Sequence, residues 1–65
     1  MTEGTRIKLY TAYKKANGSR KEFIRSLGEL GYKEGYNGYH IDGCGNVLVY
    51  VTAPDTYAGF GFKND

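Results

Sequence analysis

Between Ser19 and Leu30 the apolar residues Phe23, Ile24, Leu27 and Leu30 recur at helical spacing, with Arg20, Lys21, Arg25 and Glu29 between them. That spacing gathers one apolar stripe on one side and predicts a helix over about 19–30. Ser19 followed by Glu22 has the form of a capping box, in which each side chain satisfies a free backbone N–H at the helix start. Gly31 is placed to end the helix in the left-handed conformation, with Tyr32 folding back over the last turn. Gly28 costs about 1 kcal/mol against alanine inside a helix and marks close packing or early fraying.

Beyond Tyr32 the period changes. Tyr39 and Ile41 alternate with His40 and Asp42, and Gly43-Cys44-Gly45-Asn46 supplies the glycine and asparagine that a hairpin loop needs. Val47 to Thr52 is rich in β-branched and aromatic residues, Pro54-Asp55 is a turn signal, and Tyr57 to Phe62 returns as a further strand. That last strand sets Ala58, Phe60 and Phe62 on one face. Gly59 and Gly61 fall on the other, where a neighbouring backbone or ring can approach.

Two readings compete for Thr5 to Ala16. As a strand, the segment places Ile7, Leu9, Thr11 and Tyr13 on one face and Arg6, Lys8, Tyr10, Ala12 and Lys14 on the other, with Thr and Tyr favouring the extended form. As a helix it gathers Leu9, Tyr10, Ala12, Tyr13 and Ala16, with Lys14 and Lys15 in the last turn and Gly18 as the stop. The strand is preferred. The expected fold is therefore α+β, a single domain over residues 1–65 in the order β-α-β-β-β, with one helix packed on an antiparallel sheet. The run VLVYV is apolar on both faces, so something must cover the face the helix leaves. Tyrosine suits that task half-exposed, as the rim of a thin core, an interface, or a platform for bases.

At 65 residues the chain is near the lower limit at which one core holds without staples. Its one cysteine, Cys44, excludes an internal disulfide and points to a reducing compartment, with the cytoplasm as the default. No stretch approaches the roughly 18 apolar residues of a membrane span, and MTEGTRIKLY has no signal-peptide core, so a soluble protein is expected. The net charge of +2 is unevenly spread. Residues 1–28 carry seven cations against Glu3 and Glu22, a balance of +5, and residues 29–65 carry −3. Such a basic half suits an acidic protein surface or nucleic acid.

Candidate chemistry is sparse. HIDGC brings His40, Asp42 and Cys44 to alternate positions, but one His and one Cys without a C-x-x-C do not make a zinc site, so no metal is expected. No phosphate-binding glycine motif is present and the carboxylates are scattered, so neither a cofactor nor enzymatic activity is expected. AGFGFK at Ala58 to Lys63 resembles the aromatic-glycine alternation of the RNP1 box and the cold-shock strand, which implies base stacking on Phe60 and Phe62. The following Lys63-Asn64-Asp65 lacks that pattern's next positions, and a strand packing both rings into the core is the preferred reading. Read as two helices joined at Asn17-Gly18, AYKKANGSRKEFIRSLGELGY resembles helix-turn-helix proteins, which implies a basic second helix in a major groove. The strongly β and turn character after Tyr32 argues against that fold.

What remains is a small, non-enzymatic protein-binding regulator. Its size fits the inhibitors that phages and mobile elements use to occlude a host enzyme or defence complex. Tyrosine and arginine are enriched at interface hot spots. The expected contact residues are Tyr36, Tyr39 and Tyr50 as apolar anchor, Arg6, Lys8 and Arg25 steering toward acidic surface, and Tyr10 beside them. Two alternatives stand: a nucleic-acid-binding protein that uses the same cations and tyrosines, and a homodimer whose partner sheet covers the second face.

Overall fold

A computed structural model of the chain describes residues 3–35, 37–50 and 57–62. Along them run α1 (Glu3–Ala16), α2 (Arg20–Glu29), β1 (Tyr39–Ile41), β2 (Val47–Tyr50) and β3 (Tyr57–Phe60). The strands form an antiparallel sheet in the order β1-β2-β3. The fold is α+β, as the residue pattern predicts. The expected strand residues Val51 and Thr52 and the turn at Pro54-Asp55 lie outside the described residues.

The first element corrects the expected β-α-β-β-β order, because residues 5–16 are helical and the order is α-α-β-β-β. Leu9, Ala12 and Ala16 are all buried, and only a helix brings positions i, i+3 and i+7 to one side. Strand alternation would have grouped Leu9 with Ile7 and Thr11, both of which are exposed. Local signals support the helix. Glu3 lies in the first turn and Lys14 and Lys15 in the last, each complementing the helix dipole. Glu3 also pairs with Arg6 one turn on at 3.1 Å. Asn17 and Gly18, with φ of 51° and 87°, then reverse the chain into α2.

The start of α2 uses half of the expected capping box. The Glu22 N–H donates to Ser19 Oγ at 3.2 Å, while the Ser19 N–H donates to the Ala16 carbonyl and the Glu22 carboxylate turns to Arg25. Its end matches expectation: Gly31 N–H donates to Gly28 and Tyr32 N–H to Leu27, the paired bonds of a Schellman cap. Tyr32 then packs against the core.

The register decides what each face of the sheet does. Tyr39 pairs with Val49 and Ile41 with Val47, while Val47 pairs with Phe60 and Val49 with Ala58. These residues share the face that meets both helices, where Val47, Val49, Phe60 and Phe62 pack with Leu9, Phe23 and Leu27. The rings of Tyr13, Phe23, Phe60 and Phe62 lie within 4.8 to 5.9 Å of one another in the pairs that touch. Tyr13 is half-buried, and its hydroxyl donates to the Gly61 carbonyl at 2.9 Å, tying α1 to the chain beyond β3.

Asp42 organises the β1–β2 loop. Its Oδ1 accepts the Cys44 and Asn46 N–H groups at 2.9 and 2.8 Å, and its Oδ2 accepts the Asn46 side-chain amide at 3.0 Å. The Gly45 N–H closes a turn on the Asp42 carbonyl, and Gly45 itself has φ of 85°, the left-handed residue such a hairpin requires. The bonds from Asn46 above all, against a smaller opposing effect of desolvation, hold the Asp42 carboxyl below the ordinary aspartate range. A depressed folded value stabilises the fold above the unfolded aspartate value of about 3.9 and is lost as the pH falls through the folded one. Asp42→Ala is therefore expected to lower the melting temperature at pH 7, with the gap to wild type closing as the pH falls below about 3.9. Melting curves of both proteins across that range check this, and a pH-independent gap would contradict it.

Candidate functional site

The helical hairpin presents its outward surface away from the sheet. On α1, Leu9, Ala12 and Ala16 face inward, so a position half a helical turn away points to solvent. Ile7 occupies it and is 56 % exposed. Arg6 and Tyr10, one turn apart, flank Ile7 on the side toward β3, where the Tyr10 ring meets Phe60 edge-on at 5.1 Å and stays 45 % exposed. Lys8 and Lys15, seven residues apart, flank it on the side toward α2.

Between the two helices runs a groove of about 450 Å³. Ala12 and Ala16 lie at its base and Thr11 and Ser26 along it, short side chains that leave room above them. At one end Ile7 of α1 lies across from Leu30, itself 41 % exposed just past α2. Along the α2 wall, Arg25 bonds Glu22 at 2.7 Å and Glu29 at 3.0 Å. Glu22 and then Glu29 raise the Arg25 guanidinium above its ordinary value, so that wall carries its charges in mutual contact. Among the described residues Lys8 and Lys15 have no ion pair. The groove thus combines an apolar end, a shallow neutral base and uncompensated positive charge on one wall.

The expected contact residues divide among several surfaces. Lys8 and Arg25 meet in the groove, and Arg6 and Tyr10 share the other flank of α1. Tyr39 and Tyr50 do not form one anchor: Tyr39 packs against the core beside Val49, and Tyr50, one residue further along β2, points to the opposite sheet face. There Tyr50 contacts His40 edge-on at 4.9 Å and Tyr57 at 6.2 Å. Tyr36 lies outside the described residues. Ile7, Thr11, Lys15, Ser26 and Leu30 were not expected at a site. The signal for Ile7 was its place opposite Leu9, Ala12 and Ala16 on a helical projection, which a strand reading hides.

The HIDGC residues have other duties. His40 meets the Tyr50 ring edge-on, the Asp42 carboxylate is engaged by the loop, and Cys44 is exposed at the turn. Among the described residues no three His, Cys, Asp or Glu side chains converge. Phe60 and Phe62 are both buried as expected, although β3 ends at Phe60 and Phe62 packs from just beyond it, and burial removes their rings from base stacking. No described helix is long and apolar enough to cross a membrane. The sequence matches no family model, no curated protein and no solved structure.

Proposed function

We propose that this chain is a non-enzymatic protein-binding regulator that works by occupying an acidic surface of a partner through the outward side of its helical hairpin. The observation that carries this reading is where the exposed large apolar side chains fall. Of the five among the described residues, Ile7, Tyr10 and Leu30 lie on the helical layer among Arg6, Lys8 and Lys15, and the other two, Ile41 and Tyr57, lie apart on β1 and β3. Apolar anchors set among cations suit a protein surface of complementary charge, in which the rings and aliphatic groups bind and the cations steer. A nucleic-acid reading is less well supported. Arg25, the outward arginine of α2, is held by two carboxylates that would meet a phosphate backbone, and the Phe60 and Phe62 rings are buried. The exposed lone cysteine suits a reducing cytoplasm as the place of action.

The test is capture from bacterial lysate by the tagged protein at about 150 mM salt, with and without nuclease, beside an Arg6→Ala, Lys8→Ala variant. Both residues are exposed, so the melting temperature is expected to stay within about 2 °C of wild type. Wild type is expected to retain a protein that survives nuclease, and the variant to retain much less of it. A catch that disappears with nuclease assigns the basic face to nucleic acid instead. Equal capture by the variant removes the α1 cations from the mechanism.

A further inference from the structure

From the groove between α1 and α2 we infer the form of the partner segment: an acidic amphipathic helix that lies along the hairpin as a third helix. The inference rests on the protein-binding reading and specifies its ligand.

Shape supplies the first part of the argument. A groove between two helices, with Ala12, Ala16, Thr11 and Ser26 along it, is the concave surface that ridges of a third helix fill. Its volume of about 450 Å³ is in the range of sites that take the anchoring groups of a ligand. Ile7 and Leu30 bracket one end, and an apolar side chain of the incoming helix seated between them would bury surface that the free protein leaves in water.

Charge supplies the second part. Both carboxylates of the groove, Glu22 and Glu29, already contact Arg25, whereas Lys8 and Lys15 on the facing wall have no ion pair among the described residues. One guanidinium shared by two carboxylates leaves the α2 wall at a net −1 against +2 on the α1 wall, so the excess over the whole groove is positive and lies on the α1 side. Seven residues on a helix span two turns, about 10 Å, so the two ammonium groups match carboxylates seven residues apart on an adjacent helix. A strand, with its side chains alternating between faces, would not present carboxylates and an apolar anchor on that spacing along one line. A polyanion without apolar groups would leave Ile7 and Leu30 in water and set its phosphates against Glu22 and Glu29.

A display selection tests this, using peptides about 15 residues long, the length at which an isolated helix becomes marginally stable. The library holds amphipathic helices whose charged positions are Glu or Lys. Wild type is expected to enrich peptides with Glu at two positions seven residues apart and a large apolar residue toward one end. Backbone amide shifts on binding are expected to concentrate at Ile7, Thr11, Ala12, Ser26 and Leu30. Lys8→Glu with Lys15→Glu is expected to weaken the selected peptide about tenfold or more and to enrich Lys peptides in its place. Thr11→Trp fills the groove from an exposed position without changing charge, and is expected to abolish binding while the protein stays folded. Enrichment of Lys peptides by wild type, no enrichment at all, or shifts centred on β2 and β3 would overturn the inference. So would a homopolymeric RNA that produces the same groove shifts. Failure here leaves the capture result standing, whereas nuclease-sensitive capture removes both readings.

Discussion

Phe23→Ala is expected to bring the protein to the edge of unfolding at 25 °C. Phe23 is fully buried where α1, α2 and β3 meet, with its ring 4.8 Å from Phe60, 5.3 Å from Phe62 and 5.9 Å from Tyr13. Truncation removes the transfer energy of the ring and leaves a cavity that three large neighbours cannot close together, a loss of about 3 to 5 kcal/mol. A domain of this length has a total stability of roughly 3 to 10 kcal/mol, so one side chain accounts for a large share. Urea unfolding followed by circular dichroism measures the change. A cooperative transition within about 1 kcal/mol of wild type would show that the aromatic cluster is not what joins the helices to the sheet. Phe23→Leu is the control, because it keeps most of the volume and is expected to cost far less. Because the groove is formed only while the helices are held together, Phe23→Ala is also expected to lose partner binding.

The same cluster explains which parts of the fold were legible in the residues. The α2 helix carries its own instructions, with Ser19 at the cap, Phe23 and Leu27 on one side and Gly31 at the stop. The β1–β2 hairpin is equally local, because Asp42, Gly45 and Asn46 close the loop by contacts within five residues. The α1 segment is different. Its Thr and Tyr residues favour extended backbone, and its apolar positions fit a period of two as well as one of 3.6. What settles the helix is distant: Leu9, Ala12 and Ala16 find partners only once α2 and the sheet are in place. The candidate site was hidden for the same reason. Ile7 and Leu30 are 23 positions apart and become neighbours in one groove only when both segments are helical. The division of Tyr39 and Tyr50 follows from strand alternation, so the hairpin register anticipates it; reading the tyrosines as one anchor overlooked that parity.

Gly38→Ala is expected to produce the second largest effect, through backbone overlap and not through lost packing. Gly38 is buried, and a Cβ placed on it would overlap the Lys33 carbonyl oxygen and stand 2.6 Å from the carbonyl carbon. A side chain could rotate away from such a contact; a main-chain carbonyl cannot do so without moving the chain that carries it. This carbonyl is committed, since it accepts the Tyr39 N–H at 3.0 Å. On either side of it, the Gly35 N–H donates to the Tyr39 carbonyl and the Tyr50 N–H donates to the Gly38 carbonyl at 2.7 Å. One methyl group therefore disturbs the strap that runs along the outer edge of β1 and the pairing that continues β1 into β2. The expected cost is about 2 to 3 kcal/mol, a fall of more than about 10 °C in melting temperature for a domain of this size. Gly59→Ala provides the contrast. Its Cβ would stand 3.3 Å from a Leu48 methyl, a flexible side-chain end that can yield, so a much smaller fall is expected. Hydrogen exchange locates the damage: the Gly35, Tyr39 and Tyr50 amides are expected to lose protection in Gly38→Ala before those of α1 and α2. Equal melting temperatures for the two glycine variants would mean that the Lys33–Tyr39 strap yields at little cost, and that β1 is held to the sheet by β2 alone.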